Sequence, residues 1–310
     1  MTKLSRRKFI GTVAAGAALA GGAVLRGGAG EAAPPGPVDP SVKSPTDRVQ
    51  LGKSGLKVSL VGIGTGSIGY ARRSNQTQLG QPAFTKLMRH AFDRGVNFFD
   101  LADAYGSHPF FREAMRGVER SRYVIQTKTD SRDAQEAAAD VDRFLKELET
   151  DYLDSLIIHC VTDGEWTKNL RGVMEVFSEA KRKGKVRAVG VTCHSFEALE
   201  AAAASPWVEL NQVRWNPRAA HMDAGVDKAR ALFRGMRAKG QGMIGMKVVG
   251  QGDIVRGGAL TPAECFRFQI ESGVVDAFVV GVESTEQIDE LLGGTQLALN
   301  ELGYRSAPAA

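Results

Sequence analysis

Short apolar runs alternate with stretches of helical periodicity along most of this 310-residue chain. The runs at 58–63, 96–101, 124–128, 155–159, 186–192, 209–214, 242–246 and 277–281 read as strands. Amphipathic or Ala-rich segments at 83–94, 109–118, 133–148, 170–183, 195–204, 226–239, 261–272 and 285–292 read as helices. In the segment 133–148, Ala137, Val141, Phe144, Leu145 and Leu148 recur at helical spacing with charges between them. Eight strands, each followed by a helix, predict a parallel (β/α)8 TIM barrel; an open doubly wound sheet is the rival arrangement. Residues 49–58 read as a β-hairpin turning at Ser54-Gly55, an N-terminal cap for the closed end of the barrel.

The chain opens differently. Ser5-Arg6-Arg7-Lys8-Phe9-Ile10 precedes a Gly- and Ala-rich apolar stretch from Gly11 to Leu25. The pattern resembles a twin-arginine signal, which implies the export machinery as a partner and a periplasmic or extracellular destination. The apolar stretch is short and glycine-rich for a membrane span, so no stable anchor is expected. Residues 1–33 are thus read as a signal, 34–47 as a Pro-rich linker and 48–310 as the barrel domain. The net charge of +5 concentrates in the leader, where Lys3, Arg6, Arg7, Lys8 and Arg26 face only Glu31. The remaining body is near neutral, which gives no case for nucleic-acid binding. Cys160, Cys193 and Cys265 lack metal-ligand spacing, and no metal is expected.

Three successive strand candidates end on ionisable residues, Asp100, Lys128 and His159. The carboxyl ends of barrel strands open into one mouth, so these side chains should converge there. Tyr105, five residues past Asp100, can reach the same place. A phenol beside a cation suits a general acid, and Lys128 is expected to lower the Tyr105 pKa.

The segments Leu51 to Ser59, Gly62-Ile63-Gly64-Thr65-Gly66, Phe99-Asp100-Leu101-Ala102-Asp103-Ala104-Tyr105-Gly106 and Asp151-Tyr152-Leu153-Asp154 leading to His159 resemble the aldo-keto reductase family, from about Arg48 to Leu292. The resemblance implies a catalytic tetrad of Asp100, Tyr105, Lys128 and His159. It implies hydride transfer between NAD or NADP and a small carbonyl or alcohol substrate, with Tyr105 as general acid. It also places Thr192 and Gln212 at the nicotinamide carboxamide, with Cys193 where the family has Asn. Met246 stands where the family often stacks an aromatic ring, and Lys247 beside it can meet a phosphate. Ser284, Gln287 and Glu290 fall in the adenosine-binding segment. Glu283, with no Arg or Lys in 281–290, tilts the choice toward NAD. Trp215 is a candidate wall of the substrate pocket, or a residue packed beneath its loop. The loops 68–82 and 216–225 are further candidate walls. Two other functions compete: an exported enzyme with tightly held NAD and a self-regenerating, isomerase-like reaction, or a non-catalytic ligand-binding barrel.

Overall fold

The structure is a computed structural model that describes residues 39 and 41–304. The expected signal, residues 1–33, and the first part of the expected linker lie outside the described residues. The end of that linker is tied to the body. Val42 is buried, Asp47 Oδ2 accepts from the amides of Lys43 and Ser44, and Val61 N donates to Pro45 O. Among the described residues no helix is long and apolar enough to cross a membrane.

Strands β1 (Arg48–Gln50) and β2 (Lys57–Ser59) form an antiparallel hairpin. Its turn contains Gly55 at φ 81°, a conformation that favours glycine. Eight parallel strands then close into a barrel: β3 (Val61–Gly64), β4 (Phe98–Asp100), β5 (Val124–Thr129), β6 (Leu153–Val161), β7 (Val186–Cys193), β8 (Leu210–Arg214), β9 (Gly242–Met246) and β10 (Ala277–Gly281). The β10 strand pairs with both β3 and β9, which closes the ring. Their near-continuous apolar character follows from burial on both faces, against the barrel interior and the surrounding helices.

The hairpin sits at the amino-terminal floor. Leu51, Leu56 and Val58 are buried, and Lys53 N donates to Gly240 O. Buried Asp276 stitches hairpin to floor, accepting from Gly52 N at 3.2 Å, Met243 N at 2.9 Å and Arg237 Nε at 3.0 Å. Gly52 has φ 48°, and a Cβ there would lie 2.4 Å from Gly242 N, so only glycine permits this approach.

Several boundaries differ from expectation: the helix expected over 109–118 ends at Ala114, and β6 exceeds the expected 155–159 at both ends. The apolar run 58–63 is not one strand: it divides at Leu60, Val58 belonging to the hairpin and Val61 to Ile63 to the barrel. The last helix does not stop at 292 but runs Thr285–Glu301. Within it, Gly294 packs against the Phe266 ring, where a Cβ would stand 3.2 Å away. Close helix packing explains that glycine better than termination does.

Candidate active site

The four ionisable residues meet at the carboxyl mouth. Asp100 ends β4, Lys128 lies in β5 and His159 in β6, while Tyr105 closes a 3-10 turn, Asp103–Tyr105. Lys128 is almost wholly enclosed, and its Nζ donates to Asp100 Oδ1 at 2.6 Å and to Leu101 O at 2.8 Å. Tyr105 Oη stands 3.5 Å from Lys128 Nζ and 3.4 Å from His159 Nε2. Asp100 is held from three sides, because Gln126 Nε2 donates to Oδ1 at 2.8 Å and Gln212 Nε2 to Oδ2 at 2.9 Å. A buried charge persists only with such partners.

Burial sets the proton affinities. It pushes the Tyr105 phenol well above its ordinary value, and the Asp100 carboxylate adds to the shift. This reverses the expected lowering by Lys128. The ammonium is spent on Asp100, and a phenolate here would be desolvated and would face that carboxylate. Burial also lowers Lys128, against the pull of Asp100. His159 is lowered by burial, against the pull of Asp130, so its ring is neutral near pH 7. His194, after β7, is pushed down to about 3, first by burial and then by Arg214.

The loop after β3 presses on the phenol. A Cβ at Gly66 would lie 2.3 Å from the Tyr105 ring, and one at Gly69 also 2.3 Å. Arg72 in this loop pairs with Asp103 at 2.6 Å and Glu147 at 2.9 Å, and Arg143 joins the same two carboxylates at 2.7 and 3.1 Å.

The expected cofactor residues fare unequally. Thr192 and Gln212 lie on neighbouring strands, each one residue beyond the paired Val191 and Asn211. Thr192 Oγ1 and Gln212 Oε1 are both buried without a hydrogen-bond partner. Two orphaned polar atoms side by side suit a carboxamide, so the chain's residues fit a nicotinamide here. Met246 ends β9, partly buried against the core. Lys247 follows at φ 53°, makes no salt bridge among the described residues, and is lowered by burial and by Arg214. Ser284 caps the last helix, its Oγ accepting from Gln287 N, while Gln287 Oε1 accepts from Glu283 N at 2.7 Å. Glu290 is exposed. Glu283 accepts from Asn75 Nδ2 at 2.8 Å.

Trp215 does not line the mouth. It is fully buried in the outer layer, 5.6 Å from the Phe233 ring and 4.8 Å from that of Phe268, with Nε1 donating to Ser272 Oγ at 3.1 Å. Of the two readings of Trp215, packing beneath the loop is the one the contacts match. In the loop 216–225, His221 is tied to Asp253 at 2.8 Å.

Several residues of the site went unnoticed in the sequence. Gln126 and Asp130 share the strand parity of Lys128, and that alternation is the signal that points them to the same side. Asp130 Oδ1 lies 3.0 Å from His159 Nδ1.

A closed parallel barrel with a phenol, a buried ammonium–carboxylate pair and a neutral imidazole at its carboxyl mouth defines the class of protein. Residues 60–263 match the model of the aldo/keto reductase family, and the chain belongs to that family. It is similar to L-galactose dehydrogenase of Arabidopsis thaliana, 29% identical over 153 residues that cover 46% of this chain and 47% of that one. It is 28% identical to the aldo-keto reductase YhdN of Bacillus subtilis, over 48% of each chain. The chain thus spans about half the length of the curated relatives it matches. The fold is also that of a solved aldo-keto reductase from Bacillus halodurans in its holo form: TM-score 0.66, 17% identity, covering 86% of this chain and 98% of that one.

Proposed function

We propose that this protein transfers a hydride between a nicotinamide dinucleotide and a small carbonyl or alcohol, with Tyr105 as the general acid. The observation that carries the reading is the position of Tyr105 Oη between Lys128 Nζ and His159 Nε2. The nicotinamide, when bound, supplies or takes the hydride. The chain's own residues handle the proton and the geometry. A carbonyl gaining hydride becomes an alkoxide, a stronger base than any phenolate. A phenol held protonated therefore still donates to it downhill. Lys128 and His159 stabilise the oxygen as charge develops, and Asp100 fixes Lys128 in place. Thr192 and Gln212 orient the carboxamide.

The relatives' names support the substrate class: an L-galactose dehydrogenase, and a methylglyoxal reductase of Salmonella typhi, 26% identical over 42% of this chain. NAD is the favoured dinucleotide, since Glu283 opposes a 2′-phosphate. The Arg6-Arg7 pair supports twin-arginine export, and with it the second reading, a dinucleotide retained through a self-regenerating reaction. Two measurements test these readings. Turnover of an aldehyde panel, with NADH and NADPH supplied in turn, expects multiple turnovers; none with either dinucleotide sinks the reductase reading. Protein dialysed and then denatured releases about one dinucleotide per barrel if the cofactor is retained, and none if it exchanges.

A further inference from the structure

In a regular strand, neighbouring side chains point to opposite faces. At the end of β6 that rule is broken. The pairing of β6 with β7 shifts register between Ile158 and Val161, and Cys160 within the shift has φ 52°. A non-glycine residue in this region is strained, and bulges beside active sites commonly re-aim a side chain. Here the bulge brings two consecutive side chains to one point. His159 Nδ1, Cys160 Sγ and a carboxylate oxygen of Asp130 all lie within 4.8 Å of one another.

Three further facts concern what this point lacks. His159 is 7% exposed, yet its Nδ1 is buried with no hydrogen-bond partner. The nearest polar atom to that nitrogen is a carboxylate oxygen of Asp130, at 3.0 Å. His194 Nε2 lies 3.7 Å from Cys160 Sγ on the other side. Ligand atoms around a tetrahedral zinc are separated by roughly 3.3–3.8 Å, from the usual Zn–N and Zn–S bond lengths.

We propose that this bulge is a binding site for one zinc-like divalent ion, held by Asp130, His159 Nδ1 and Cys160 Sγ, with the fourth position left to water. The Cys160 thiol proton passes to solvent as the sulfur binds. The donor set is mixed oxygen, nitrogen and sulfur, which selects zinc and its soft neighbours over magnesium or calcium. An ion on Nδ1 also fixes the remaining hydrogen on Nε2, the nitrogen facing Tyr105. The site shares His159 with the reductase reading but none of its chemistry, so binding is measured without dinucleotide or carbonyl.

The test is a titration of tag-free, reduced, chelator-treated full chain with Co2+, read by its thiolate-to-cobalt charge-transfer band. One equivalent should saturate the band, Zn2+ should abolish it and excess Mg2+ should not. Cys193 and Cys265 are buried, so the band should vanish in Cys160→Ser. Cys160→Gly, which suits φ 52°, should also lose it while keeping the wild-type circular dichroism. Asp130→Asn, at an exposed position, should weaken Zn2+ binding at least about tenfold. Absence of the band in wild type, or its persistence in Cys160→Gly, overturns the proposal. Unchanged Zn2+ affinity in Asp130→Asn overturns it too. Loss of aldehyde turnover alone bears on the reductase reading and leaves these readouts intact.

Discussion

Gly69 lies against the Tyr105 ring so closely that a methyl group on its α-carbon would stand 2.3 Å from ring atom Cδ1. The phenol's position is therefore set by a missing side chain as much as by its hydrogen-bonding neighbours. Gly69→Ala should displace the ring and separate Tyr105 Oη from Lys128 and His159. The expected result is a kcat lowered by about 10²-fold, the scale of losing a ~1 Å placement at a reacting centre. Thermal stability should change far less. Wild-type kcat in this variant would show that the phenol's placement is not critical.

Tyr105→Phe keeps the ring and removes the proton. Turnover should fall by about 10²–10⁴-fold, with dinucleotide affinity nearly unchanged. Stopped-flow kinetics and calorimetric binding separate the two quantities. A variant that keeps most of its kcat assigns the proton to another donor.

The Asp100–Lys128 pair is nearly sealed from solvent, so its halves should fail separately and tolerate joint removal better. Lys128→Met or Asp100→Asn alone should each destabilise the fold by about 3–5 kcal/mol, the cost of stranding a buried charge. The double variant should lose clearly less than the sum of the two. Urea unfolding of all four proteins gives the coupling, and strict additivity would contradict the pairing.

His194 predicts a pH dependence. Its folded pKa is about 3 against an ordinary histidine value of 6.5, so below 6.5 the unfolded chain takes up a proton that the folded chain refuses. Stability from this group is full above about 6.5 and falls as pH drops toward 3, at no more than about 1.4 kcal/mol per pH unit. His159, also lowered, adds in the same direction. Urea midpoints measured from pH 7 to pH 4 should fall more gently in His194→Gln. Parallel curves would place His194 in contact with solvent.

Glu283 should decide the dinucleotide. NAD(H) should bind at least as tightly as NADP(H), and Glu283→Arg should raise NADP(H) affinity by about tenfold, by replacing repulsion with attraction. Calorimetry with both dinucleotides checks this. A wild-type preference for NADP(H) would point to a cation elsewhere, Lys247 first.

Much of this was readable in the chain. The barrel was legible because each strand is an apolar run long enough to be buried on two faces, and the cluster at the mouth because Asp100, Lys128 and His159 close three of those runs and Tyr105 follows Asp100 by five residues. Trp215 stayed open between pocket wall and packing, because its burial depends on Phe233 and Phe268 of distant helices. The run 58–63 hid its division because no charge or proline separates Val58 from Val61, and the one polar residue at the break, Ser59, is itself buried and donates to Val61 O. The direction of the Tyr105 shift was not legible, since it depends on enclosure rather than on neighbours in sequence. Nor was the meeting of His159 with Cys160, because a register shift reverses the parity that sequence reasoning relies on.

The rim of the mouth is bolted down. Arg72 and Arg143 both grip Asp103 and Glu147, and the Arg72 carbonyl fills the space a Gly106 side chain would need, 2.1 Å from its Cβ position. The strand-to-turn segment bearing the phenol, the loop above it and the helix Ala134–Leu148 are thereby cross-tied by two arginines and two carboxylates. A mouth held so would act as a gauge, sorting molecules by whether they fit on arrival and spending little of their binding energy on folding itself around them.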